Sequence, residues 1–232
     1  MNLYLLVEGR RTERKLYRSW LGHCFPTLKE VERPEDLTGD SFFLISGNGY
    51  PQYLNQIPAS LEDAARLGAV DHLFICVDAE NEPRSKCEHD IRDQLNKAAA
   101  DLQRKGLQYR GQLHVIVADC CIETWLLGHQ KLVPRNPSDG LAAFKQFYDV
   151  SKEDPEHMDC PPGYLRKAHY HLAYLKALHR NHGQTYSKER PGIACEANYL
   201  AALQNRVQST QHLQSFGHLW NTWTTMGANT GI

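Results

Sequence analysis

The chain has 232 residues, a formal net charge of −1, 41% hydrophobic residues and 23% charged ones. It is long enough to bury a core without covalent staples, and its near-neutral charge argues against capture of nucleic acid by broad electrostatics. Seven cysteines without CxxC spacing, the adjacent pair Cys120 and Cys121 among them, argue against a disulfide framework and for a reducing compartment. The apolar runs are too short to span a bilayer and the start of the chain lacks a signal-peptide core, so a soluble cytoplasmic protein is expected.

Leu3, Leu5, Leu6 and Val7 predict a buried strand, and Glu8 follows where that strand emerges. Gly9 permits a sharp turn there. Thr12 is expected to cap a helix whose buried stripe is Leu16, Tyr17, Trp20 and Leu21. Glu8 and Glu13 then either face one cleft from the two sides of the turn, or are a solvated loop residue and a complement to the helix dipole. Arg10, Arg11, Arg14, Lys15 and Arg18 make this edge locally positive.

Residues 26–40, rich in Pro, Glu, Asp and Gly, predict a loop. Phe42 to Ile45 predicts a second strand, and Ser46-Gly47-Asn48-Gly49 a turn, since it lacks the lysine of a phosphate loop. The spacing over 50–67 predicts a helix, His72 to Val77 a third strand ending in Asp78-Ala79-Glu80-Asn81, and 88–104 a helix with Ile91, Leu95, Ala98 and Leu102 buried. Leu113 to Ala118 predicts a fourth strand, followed by Asp119-Cys120-Cys121-Ile122-Glu123-Thr124-Trp125-Leu126-Leu127. Apolar strands alternating with helices predict an α/β fold, a parallel sheet of about four strands with helices on both faces. A loop over 148–163 and helices near 164–181, 194–207 and 213–224 complete a helical extension. The expected division is a core over 1–130 and an extension over 131–232 packed on it.

Three strands thus end in acids: Glu8, then Asp78 and Glu80, then Glu123. In a parallel sheet those ends share one edge, and Asp78 and Glu80, two apart in extended chain, project to one side. Converging carboxylates without soft partners describe a hard-cation site for one or two Mg²⁺ or Mn²⁺ ions. The alternative is that Asp78 and Glu80 cap the next helix and Glu123 lies on an exposed helix face. His169, His171, His179 and His182 are expected at the surface rather than at zinc, because i and i+2 on a helix face apart and no cysteine lies at a finger-like interval. Phe216, Leu219, Trp220 and Trp223 form one stripe, expected as core or interface.

An apolar strand followed by Glu8-Gly9 with Thr12-Glu13, then a strand ending in an Asp-x-Asp-like pair, resembles the Toprim domain of topoisomerases, primases and OLD-type nucleases. With Glu123-Thr124-Trp125-Leu126-Leu127, and more weakly Tyr186-Ser187-Lys188, the chain is most similar to the small stand-alone RloB-like and OLD-related Toprim proteins of bacterial defence. The resemblance implies a Toprim-like, Rossmann-like core and a metal-dependent nuclease paired with an ABC-type or AAA ATPase. It assigns Glu8, Asp78 and Glu80 to catalysis and metal, with Glu80 standing where the family has aspartate. It assigns Glu13 and Glu123 to a second metal and Lys188 to the transition state. Arg10, Arg11 and Lys15 would hold phosphates of a DNA or RNA substrate. The competing expectation is a catalytically weak, metal-binding regulatory or partner-binding subunit of a defence ATPase complex.

Overall fold

In the computed structural model, residues 1–49 and 52–229 are described, and the chain divides into two units. The first comprises Met1–Val77, Ser85–Val117 and the end of the chain from Gly227; the second comprises Asp78–Arg84 and Ala118–Met226. The boundary expected near 130 falls inside the second unit.

The first unit is built on a five-stranded sheet of β1 (Asn2–Val7), β2 (Lys29–Val31), β3 (Ser41–Ser46), β4 (His72–Asp78) and β5 (Gln112–Ala118), in the order β2-β3-β1-β4-β5. Its registered pairs, β1 with β3, β1 with β4 and β2 with β3, are all parallel. All six residues of β1 are buried, so both faces of the central strand are covered, as its unbroken apolar run requires. The fifth strand, β2, lies within the stretch expected to be loop, with a 3₁₀ turn over Pro34–Asp36 after it. Its register on β3 pairs Lys29 with Ser41 and Val31 with Phe43.

Between these strands run α1 (Thr12–Cys24), α2 (Gln52–Leu67) and α3 (Arg84–Arg104). Residues 50 and 51, the first two of the expected second helix, lie outside the described residues. From β1 the chain steps outward through α1 to β2 and β3, then returns through α2 to β4 and through α3 to β5. Right-handed crossovers in opposite directions put α1 on one face and α2 and α3 on the other. The reversal falls at the carboxyl ends of β1 and β4, the place where open α/β sheets receive ligands. The stripe Leu16, Tyr17, Trp20 and Leu21 is buried as the periodicity predicts, each large side chain contributing about 1.5–3 kcal/mol. Thr12 is not the cap: Arg11 holds that position without a capping side-chain bond, and Thr12 is the first helical residue, 1% exposed.

The second unit is helical, with α4 (Ile122–Leu126), α5 (Asp139–Phe147), α6 (Lys167–Asn181), α7 (Ala197–Thr210) and most of α8 (Gln214–Asn229). Phe216, Leu219 and Trp223 of α8 are buried, so that stripe is core. Arg206 on α7, 1% exposed, ties this unit together: Nη1 donates to the carbonyls of Gly128 and Val150, and Nη2 to that of Glu153 at 2.6 Å.

Candidate functional site

In the first unit, β1 ends at Val7 and Glu8 follows at the point where the topology reverses. The Glu8 carbonyl accepts from the Gly49 amide at 3.0 Å and from Ser46 Oγ at 3.3 Å, which fixes the backbone beneath the acid. Gly9 is needed for a close approach: a Cβ there would meet the Glu13 carboxylate at 2.2–2.4 Å. Glu13 therefore folds back over the strand-to-helix turn, and these two sequence-predicted acids frame that turn.

Beside it runs a cleft of about 850 Å³ lined by Arg10, Arg14, Arg18, Ser46 and Asn48 together with Glu30 and Glu32. Arg10 Nε donates to Asn48 Oδ1, and Arg18 pairs with Glu30 at 2.5 Å. Arg14 and Arg18, four apart on α1, share a helical stripe, and Arg10 precedes the helix. Arg11 and Lys15, expected to hold phosphates, are exposed and do not line this cleft. Ser46 to Gly49 is a turn, with Asn48 at φ 70° and Gly49 at φ 81°.

In the second unit, Asp78 and Glu80 do not lie on one side of an extended chain. Glu80 is exposed and left-handed, at φ 55°, so the alternation that would align it with Asp78 is broken. Cys120 is left-handed as well, at φ 65°, and the two are joined: the Glu80 amide donates to the Cys120 carbonyl at 2.7 Å, next to a bond from the Ala79 amide to the Ala118 carbonyl. Neither residue is a helix cap, because α3 begins at Arg84.

Glu123, in the first turn of α4, is 1% exposed and not on a solvated helix face. Tyr186 donates to its Oε1 at 3.2 Å, and Lys188 Nζ stands 3.9 Å from the same oxygen. Lys188 sits at the second position of a tight turn in which the Ser187 and Arg190 amides bond each other's carbonyls at 3.1 and 3.0 Å. The weak Tyr-Ser-Lys signal and the Glu-x-Trp-Leu-Leu segment, 63 residues apart at Glu123 and Tyr186, therefore meet.

Comparison with family models, with curated proteins and with solved structures returns no match for this chain.

Its chemistry rests on its own residues. Among the described residues one set of three ligand-type side chains has donor atoms within 4.8 Å of one another, and it is Cys120, Cys121 and His171. The acids Asp78, Glu80 and Glu123 form no such set. His171 and His179 are both fully buried, which corrects the surface assignment for these two; His169 and His182 are exposed as expected. The cysteine partners of His171 come from the loop before α4, a tertiary contact that no local spacing announces. Hydrogen bonding from Cys121, with help from His171, pulls the Cys120 thiol down to about 6, and the same bond together with burial pushes Cys121 up.

No described helix is long and apolar enough to cross a membrane.

Proposed function

We propose that this chain is a Toprim-type, divalent-metal-dependent phosphodiesterase that hydrolyses DNA or RNA, acting as a defence effector with an ATPase partner. The observation that carries the reading is Glu123. A carboxylate withdrawn from water needs counter-charge, and Lys188, at 3.9 Å with half of its own side chain exposed, offsets only part of it. The oxygen-only donors Asp78, Glu80 and Glu123 suit Mg²⁺ or Mn²⁺, and like charges stand apart until a cation draws them together. Glu8 and Glu13, at the strand-to-helix turn of the first unit, are metal ligands in this reading by the resemblance alone.

A bound metal supplies a water of lowered pKa and charge for the leaving oxygen. Tyr186 holds the Glu123 carboxylate in one orientation, so the ligand is preorganised. Lys188, fixed at its turn, presents an ammonium to a non-bridging phosphate oxygen as negative charge grows on it. Arg10, Arg14 and Arg18 line the cleft of the first unit and suit it to phosphates, with Arg11 and Lys15 adding positive potential.

Glu80, exposed and left-handed, favours a second reading in which the same acids bind metal without turnover and the chain regulates a partner.

The test is cleavage of plasmid DNA, single-stranded DNA, total RNA and tRNA with Mg²⁺ or Mn²⁺. Wild type is compared with Glu8→Ala, which probes the first unit, and with Asp78→Ala and Glu123→Gln, which probe the second. Metal-dependent cutting lost in all three variants supports the nuclease. Metal-induced thermal stabilisation without cutting, alone or with an ATPase, supports the regulatory reading. Neither cutting nor stabilisation overturns both.

A further inference from the structure

We propose that Cys120, Cys121 and His171 form a second, soft metal site that binds Zn²⁺, chemically separate from the carboxylates. Adjacent residues in an extended chain point to opposite sides, so two neighbouring cysteines ordinarily cannot serve one ion. Here the left-handed backbone at Cys120, φ 65°, breaks the alternation and brings both sulfurs within 4.8 Å of a His171 nitrogen. A non-glycine residue in that region is strained, and such strain clusters at functional sites.

The histidine is oriented as metal-ligating histidines are. Its Nε2 lies 3.1 Å from the Met158 carbonyl, which can only accept, so the proton is on Nε2. Nδ1 then presents its lone pair toward Thr124 Oγ1, 2.7 Å away, and that hydroxyl is 3.5 Å from Cys121 Sγ. A backbone carbonyl fixing the outer nitrogen is the usual support of a metal-binding imidazole. Two sulfurs and one nitrogen are the protein ligands, and the Thr124 hydroxyl, which donates to Nδ1, rotates aside to admit the ion.

Distances and charge agree with zinc. Tetrahedral bonds of about 2.1–2.3 Å space ligand atoms about 3.5–3.8 Å apart, so donors already within 4.8 Å need only a small approach once Thr124 has turned away. All three side chains are buried, at 4%, 2% and 0% exposure. A dication with two thiolates and a neutral imidazole has no net charge, so a dry site needs no further counter-ion. A hard cation finds no comparable partner there, since thiolate and imidazole select softer metals.

The test uses the full chain, reduced and stripped of metal, with Co²⁺ as a spectroscopic probe and Zn²⁺ as competitor. One equivalent of Co²⁺ should give a thiolate charge-transfer band that stoichiometric Zn²⁺ abolishes and excess Mg²⁺ does not. Cys120→Ser and Cys121→Ser should each lose the band, His171→Ala should weaken Co²⁺ binding at least about tenfold, and Cys87→Ser and Cys160→Ser should keep it. A measurement that needs no variant follows alkylation of wild type by peptide mass spectrometry. Zn²⁺ should slow modification of the Cys120-Cys121 peptide and leave Cys87 and Cys160 unchanged. Absence of the band, its survival in both cysteine variants, or unprotected Cys120 and Cys121 overturns the site.

Discussion

Acidification from pH 7 to pH 4 is expected to destabilise the protein, and His179→Phe is expected to remove about 3 kcal/mol of that loss. His179 is fully buried, its two nitrogens have no hydrogen-bond partner, and its ring meets Tyr186 edge-on at 5.3 Å and Tyr199 at 6.0 Å. Burial, followed by repulsion from His129 and His182, lowers its pKa from 6.5 to about 4. Because the folded pKa is depressed, the unfolded chain takes up the proton first. Stability is therefore fully present above 6.5 and drains away as pH falls toward 4. At about 1.4 kcal/mol per pH unit, the gap amounts to about 3 kcal/mol. Phenylalanine keeps the aromatic packing and removes both orphan nitrogens, so at pH 7 the variant should match or exceed wild type. Urea unfolding at pH 7, 5.5 and 4 measures the effect as the difference between the two proteins, which cancels the carboxylates they share. Parallel loss of stability in wild type and variant would refute the assignment of this acid sensitivity to His179.

Arg206→Met should cost at least about 3 kcal/mol in urea unfolding, because three carbonyls lose their donor at about 1–3 kcal/mol each; an unchanged midpoint would show that water replaces the guanidinium. Gly9→Ala should shift the melting temperature by only a few degrees, since the Glu13 side chain can swing away from the new methyl group. It should nonetheless reduce metal-dependent activity, and full activity would exclude Glu13 from the site. Tyr186→Phe should destabilise by about 1.5–3 kcal/mol, the worth of a hydrogen bond to a charged group, read by thermal denaturation at neutral pH. A variant as stable as wild type would mean that the Glu123 carboxylate finds its partner elsewhere.

Strands β1, β3, β4 and β5 were legible because each carries a run of apolar residues, unbroken and buried on both faces in β1. Lys29–Val31 was not, since three residues with two charges carry no periodicity, and only pairing with β3 makes them a strand. The positions of the candidate acids were legible as strand ends, but their mutual geometry was not. Glu80 adopts a left-handed backbone without being glycine or asparagine, so nothing local signals that Asp78 and Glu80 part ways. The soft cluster was hidden for a related reason. Cys120 and Cys121 are recognisable as a pair, yet the partner that gives them meaning is His171, buried on α6 and brought there by tertiary packing. The signal that could have found it is the conjunction of a vicinal cysteine pair with a histidine inside an amphipathic helix, on the same side as Tyr174, Leu175 and Leu178.

The short strand β2 also bears on how the protein behaves at high concentration. It is an outer strand of the sheet, it offers only three residues of backbone, and the side chains of Lys29 and Glu30 are exposed. A passing chain that tried to add itself there would find too few free amide and carbonyl groups to register against and would meet charges of both signs along the way. The otherwise highly apolar sheet is thereby shielded on that side from templated growth into fibrils, a safeguard that a single longer, uncharged β2 would forfeit.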